Sequence, residues 1–292
     1  MPAPDFGFAP DDGPTLIAHR GFAGENPENT VAAMEAAART DSSRSGTRSR
    51  RADAVEIDVQ PTADGDVVVF HDDRLGGATT TGGFVDPDAG LTDATGVVWE
   101  TDTAAVTDAE VLDSGETVPR LCDVLDAVPS DVGVNVELKN PGRGDLRPGE
   151  KLTEAALAER TAAWRPFVER VLSVTGEHDH AFLFSSFCEG ALAAVSETSD
   201  RPVAPIGWES VDDVLAVARQ HEAAAVHPPV AMIRGSPFFD AERFGDDDLL
   251  AAAHDAGRDV NVWTVATWHQ AARLEAAGVD GVIADYSTVL RR

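Results

Sequence analysis

Short runs rich in Val, Ile and Ala alternate with Ala-rich amphipathic stretches along almost the whole chain, and this alternation constrains its fold most strongly. A strand can lie parallel to the one before it only after a crossover, and an amphipathic helix is the usual crossover. Eight runs qualify as such strands: TLIAH (15–19), AVEIDV (54–59), VGVNVEL (132–138), AFLFSS (181–186), PVAPIG (202–207), AAAVH (223–227), DVNVWTV (259–265) and GVIAD (281–285). Helices are expected over 29–39, 152–172, 210–221, 246–256 and 267–277. Eight strand–helix repeats in 292 residues imply a single domain, 1–292, folded as an α/β (β/α)8 TIM barrel.

A ninth apolar run, DVVVFHD (66–72), follows the tight turn TADGD. An Asp-Gly turn joins a hairpin rather than a helical crossover, so this run is expected to pair antiparallel with the second strand. It opens a small insertion, about 66–118, whose part from 73 onward is rich in Gly, Thr and Asp and expected to be irregular. The insertion follows the C-terminal end of strand two, the barrel face on which active sites are built. The basic stretch SSRSGTRSRR (42–51) joins the first helix to the second strand, and is expected to be a solvated loop on the opposite face.

Charge narrows the function classes. Acidic residues number 51 against 23 basic ones, a net charge of −28, and only Lys139 and Lys151 are lysines. Nucleic acid is therefore not an expected partner, because a phosphate backbone needs a basic footprint. No run approaches the ~20 apolar residues of a membrane span, which argues against stable membrane insertion. The N-terminus lacks the basic and apolar regions of a secretory signal, so the protein is expected to be soluble and cytoplasmic. The acidic, lysine-poor composition resembles that of proteins from extreme halophiles. At ~1 M salt the Debye length is ~3 Å, and self-repulsion is largely screened. Acid on the helical faces leaves no large apolar patch, so a monomer is expected. Cys122 and Cys188 have no metal or redox spacing and are assigned no role.

Chemistry concentrates at strand ends. Glu56 and Asp58 stand two apart on the second strand and share a face, and Glu137 and Lys139 repeat that spacing on the third. Each pair alone could be a solvated strand terminus. On adjacent strands, three carboxylates form a hard oxygen set suited to a divalent cation, Mg²⁺ or Ca²⁺. His19 ends the first strand and His71 the hairpin, and both can overhang that cation as general acid and base. Arg20 and Lys139 supply positive charge for an anionic phosphate. His227, before a Pro-Pro turn, reads more readily as structural. Asn29 or Thr30 is the expected cap of the first helix.

The motifs HRG…PENT, VEIDVQPTADGDVVVFHDD, VNVELKNP, FSSF, VWTV and GVDGVIADY, in that order over residues 16–286, resemble the glycerophosphodiester phosphodiesterase family. The resemblance implies a (β/α)8 barrel with an insertion after strand two and metal-dependent hydrolysis of a small-molecule phosphodiester to an alcohol and glycerol phosphate. It implies Glu56, Asp58 and Glu137 as metal ligands, His19 and His71 as the catalytic pair, Arg20 and Lys139 as phosphate contacts, and Trp263 in the substrate pocket. The chain departs from the family pattern at DRLGGATTTGG, at Ala266 and at Ala284, none of them a ligand or a histidine. Two alternatives stand beside this expectation. A phospholipase would need a wide apolar rim, which the acidic insertion argues against, and a non-catalytic metal- or phosphate-binding barrel would not need two histidines. An acidic field repels an anionic substrate, so turnover is expected to rise with KCl up to molar concentrations. Activity highest in dilute buffer and abolished by salt would contradict this.

Overall fold

Side chains on a strand alternate between two faces, so a barrel strand must satisfy a helical layer outside and a packed interior inside. The computed structural model describes residues 13–39, 50–76, 79–81, 84–86 and 90–290. The chain runs β1 (Thr15–His19), α1 (Val31–Ala37), β2 (Ala54–Pro61), β3 (Val67–Val69), β4 (Thr79–Thr81), β5 (Phe84–Asp86), α2 (Thr103–Thr107) and α3 (Leu121–Ala127). It continues through β6 (Gly133–Leu138), α4 (Glu154–Thr175), β7 (Phe182–Ser186), α5 (Glu189–Thr198), β8 (Val203–Pro205), α6 (Val211–Gln220) and β9 (Ala225–Val226). It ends with α7 (Ala241–Phe244), α8 (Leu249–Asp255), β10 (Asp259–Val265), α9 (Trp268–Ala277) and β11 (Gly281–Ala284).

Eight of these strands pair in parallel in the order β8-β7-β6-β2-β1-β11-β10-β9. The ring closes between β8 and β9 through a parallel bridge, Ile206 to His227. There the His227 N–H donates to Pro205 O at 3.0 Å, and the Gly207 N–H to His227 O at 2.8 Å. These two strands are shorter than the sequence runs that predicted them. Pro205, Pro228 and Pro229 have no N–H to donate, so each leaves a missing rung in the ladder.

The outward set, including Leu16, Ala18, Val55, Ile57, Val134, Val136, Phe182 and Phe184, packs against Met34, Leu121, Trp164, Phe167 and Val168 of the helices. The inward set forms a separate apolar layer of Ile17, Ala54, Leu183, Ala204, Ala225 and Ile283. Two residues further along the same strands stand His19, Glu56, Ser185, Ile206, His227 and Asp285. Polarity therefore rises by one step of the pleat toward the C-terminal mouth.

As expected, β3 pairs antiparallel with β2, with Val59 opposite Val69. The segment beyond it is more ordered than its composition suggests. It contains the β4–β5 hairpin, a 3₁₀ turn at Val98–Glu100, and α2. Val68, Phe70, Leu75, Val98, Val106, Ala109, Val111 and Val118 give it a small core of its own. Those residues are too widely spaced in sequence to show a period. Of the basic stretch 42–51, only Arg50 and Arg51 lie within the described residues. Arg50 pairs with Asp53 at 2.7 Å and Arg51 with Asp131 at 2.6 Å. Among the described residues no helix is long and apolar enough to cross a membrane.

His227 is fully buried, and burial pushes its pKa down to about 3. Between pH 6.5 and 3 the unfolded chain holds a proton there that the folded chain does not, so stability falls as pH drops through that window. Urea unfolding of wild type and His227→Gln from pH 7 to 4.5 is expected to show a loss of about 2–3 kcal/mol attributable to this group in wild type only. Equal acid slopes in the two proteins would refute it.

Candidate active site

The turn after β1 places the first site residues. Arg20, Gly21 and Phe22 have φ of 52°, 78° and 63°, three left-handed residues in succession. A Cβ on Gly21 would lie 2.7 Å from Ala33 Cβ, so only glycine lets the turn sit on α1. Left-handed backbone at Arg20 and Phe22 costs on the order of 1 kcal/mol or more each, and surrounding contacts must hold it. Phe22 is buried in the core. The Arg20 N–H donates to Glu56 Oε2 at 3.0 Å. Its guanidinium reaches Glu28 Oε1 at 2.9 Å and Asp58 Oδ2 at 3.2 Å. Asn29, also left-handed, donates from Nδ2 to Asp58 Oδ2 at 2.9 Å, and Thr30 caps α1. The stretch HRG…PENT is thus one device that turns the chain and holds cation and amide against the acids of β2.

Glu56 and Asp58 point inward from β2, and Glu137 of β6 lies in register with Asp58. The three are 2 %, 1 % and 9 % exposed. One carboxylate oxygen from each lies within 4.8 Å of the others. Glu56 Oε1 and Asp58 Oδ1 are buried without a hydrogen-bond donor, and Glu137 Oε1 meets only the Lys139 ammonium. The Lys139 ammonium stands 2.7 Å from Glu137 Oε1 and 3.7 Å from Asp58 Oδ1. Burial, then the charges of Asp58 and Glu137, push the Glu56 pKa well above the usual carboxylate range. For Asp58 burial acts in the same direction, but Arg20, Lys139 and His71 outweigh it and hold the group below its usual value. Three converging carboxylate oxygens, two of them without a donor, fit a hard divalent cation, which would supply further positive charge.

His19 is the register neighbour of Glu56. Its Nδ1 lies 2.7 Å from Asp285 Oδ1, and His71 Nδ1 lies 2.7 Å from Asp72 Oδ1. A carboxylate on Nδ1 fixes that nitrogen as the donor and leaves Nε2 for proton exchange. His71 is held by Gln60, whose Nε2 lies 3.0, 3.2 and 2.8 Å from the carbonyl oxygens of Phe70, His71 and Asp72. Sequence reading missed Asp285, Asp72 and Gln60. The signal was there in part, since Gln60 continues the inward series 56, 58, and Asp285 follows inward-facing Ile283 by two.

On the other side of the mouth, Phe187 packs edge-on against Trp208 and Trp263 at 5.1 and 5.5 Å between ring centroids. Trp263 Nε1 donates to His227 O at 2.8 Å. His227 itself is buried, with its Nε2 3.2 Å from Asn261 Nδ2. Glu28 holds Arg20 at the entry to α1. Cys188 is buried, which pushes its thiol up to about 12.

The sequence model of the glycerophosphoryl diester phosphodiesterase family matches residues 19–289. The chain is 30% identical to the uncharacterized protein YqiK of Bacillus subtilis, over 93% of this chain and 94% of that protein. It is 27% identical to the glycerophosphodiester phosphodiesterase of Bacillus altitudinis, again over 93% and 94%. Among solved structures it resembles an Oleispira antarctica phosphodiesterase in complex with its product sn-glycerol-3-phosphate, with a TM-score of 0.67, 23% identity and 94% of each chain covered.

If the three acids hold a dication, millimolar Mg²⁺ or Ca²⁺ is expected to raise the melting temperature and chelator to reverse the rise. The shift should vanish in Glu56→Gln and Asp58→Asn. A shift of the same size in those variants would place the ion elsewhere.

Proposed function

The chain belongs to the glycerophosphoryl diester phosphodiesterase family, and from that premise we propose that it hydrolyses a glycerophosphodiester to an alcohol and a glycerol phosphate. The observation that carries this is the convergence of three buried acids with two carboxylate-tethered imidazoles at one barrel mouth. Glu56, Asp58 and Glu137 would hold Mg²⁺ or Ca²⁺, which when bound supplies Lewis-acid polarisation of the phosphate and offsets its charge. Arg20 and Lys139 stay cationic in spite of burial, because the surrounding acids raise both pKa values. They bind the phosphate oxygens and orient the diester. One imidazole takes the proton of the attacking hydroxyl and the other gives a proton to the departing alkoxide. Attack by water yields glycerol phosphate directly, whereas attack by the substrate's own glycerol yields a cyclic phosphate that water then opens. Asp285 and Asp72 keep each ring in the required tautomer, and Gln60 keeps the His71 loop on β2. A barrel that only bound phosphate would have no use for two imidazoles held in this way.

Turnover of glycerophosphodiesters and of an intact phospholipid, with and without chelator, tests the reaction. His19→Ala and His71→Ala are each expected to lose on the order of 10²–10⁴ in kcat. Undiminished turnover in either removes that histidine from the mechanism. Asp285→Asn and Gln60→Leu are expected to lower kcat by about 10-fold or more with KM little changed, since neither is placed to touch substrate. A loss confined to KM would show that they bind rather than position.

A further inference from the structure

Lys139 and His71 reach the mouth from separate parts of the chain. Lys139 opens the loop between β6 and α4, whereas His71 follows β3 at the entrance to the insertion. Gln60 clasps the His71 loop from the β2 side, and within the insertion the Val98 N–H donates to Asp73 O at 3.0 Å. Neither contact reaches the β6 side. The insertion has a small core of its own, so it can shift as a unit, and such a shift would carry His71 with it.

Asn140, next to Lys139, joins the two. It is 1% exposed, so every polar atom of its amide needs a partner. Oδ1 accepts from the N–H groups of Gly142 and Arg143 at 2.8 and 2.7 Å. Nδ2 donates to Arg143 O at 2.9 Å and to Asp73 Oδ1 at 3.1 Å. An amide has two donors and two acceptor sites, and all are used here. The two backbone N–H groups fix which end of the amide is oxygen, so the nitrogen must face Asp73. Beside this bond Trp99 of the 3₁₀ turn lies across Gly142, where a Cβ would stand 3.4 Å from Trp99 Cβ. The acids after His71 thus divide their work. Asp72 holds the ring through Nδ1, and Asp73 holds the loop to the β6 side. Resting on the hydrolysis proposed above, we propose that Asn140 is a positioning residue: through Asp73 it keeps His71 in place relative to Lys139 and the three acids, without touching substrate.

Asn140→Asp separates the bridge from the fold of its own loop. The new carboxylate can still accept from Gly142 and Arg143 but meets Asp73 as a like charge. It is expected to lower kcat about 10-fold or more with KM little changed. Asp73→Ala cuts the same bond from the exposed side and should reproduce that loss. The double variant Asn140→Asp/Asp73→Asn restores a donor opposite the carboxylate and should recover most of it. Wild-type kcat in both single variants, or a double variant no better than Asn140→Asp, overturns the proposal. The imidazole resonances of His71, assigned by their absence from His71→Ala, report its placement without turnover. They are expected to move in Asn140→Asp and to return in the double variant, with those of His19 unmoved. That pattern upholds the role of Asn140 even if no glycerophosphodiester is hydrolysed. A loss of kcat with the His71 resonances unmoved sinks it, because the effect would then pass through Lys139.

Discussion

Three carboxylates buried within 4.8 Å of one another form the constraint around which the mouth of this barrel is arranged. Like charges at that spacing in a poorly solvated site cannot all ionise unaided, so each neighbour is recruited to make the cluster tolerable. Arg20 and Lys139 approach from β1 and β6, Asn29 donates an amide, and the Arg20 backbone N–H caps Glu56. The left-handed turn at Arg20–Phe22 follows from this, since an ordinary turn would not aim both the backbone and the guanidinium of one residue at β2. Even so, Glu56 Oε1 and Asp58 Oδ1 still lack a hydrogen-bond donor, which is the state expected of ligands rather than of a structural ion-pair network.

The period of two along the strands sorts the rest. Outward positions feed one continuous hydrophobic layer beneath the helices. On most strands the inward positions are apolar low in the barrel and polar one step higher, so His19, Glu56 and Asp285 stand on packed apolar side chains. Glu137 stands instead on Asn135, and His71 lies in the loop after β3. His19 rests above Ile17, Glu56 above Ala54 and Asp285 above Ile283. Packing below fixes the rotamers above, which gives a site precision that loops alone would not. The mouth is divided by the same geometry. Acids and imidazoles gather on the side of β1, β2, β6 and β11, and aromatic rings on the side of β7, β8 and β10.

Much of this was legible in advance. Apolar alternation located all eight parallel strands and the antiparallel β3 because each carries enough β-branched or apolar residues to show a period. The i, i+2 acids announced their shared face. Helix limits were less exact. α1 starts at Val31 because Asn29 is left-handed and Thr30 is the cap, and α4 runs from Glu154 to Thr175 rather than over 152–172. α5 was not among the helices read from periodicity. Its first seven residues are all buried, so it has no polar face to give it a period.

The sequence by itself determined the architecture, the residue types of the reaction site and the acidic surface, because these depend on local alternation, composition and spacing within one strand. Tertiary structure alone decided which carboxylate each imidazole meets, that Gln60 clasps the His71 loop, and that Phe187, Trp208 and Trp263 stand together. The physical reason is distance along the chain. His19 and Asp285 are 266 residues apart and touch only because the ring of strands closes β11 onto β1, a register that no local pattern encodes.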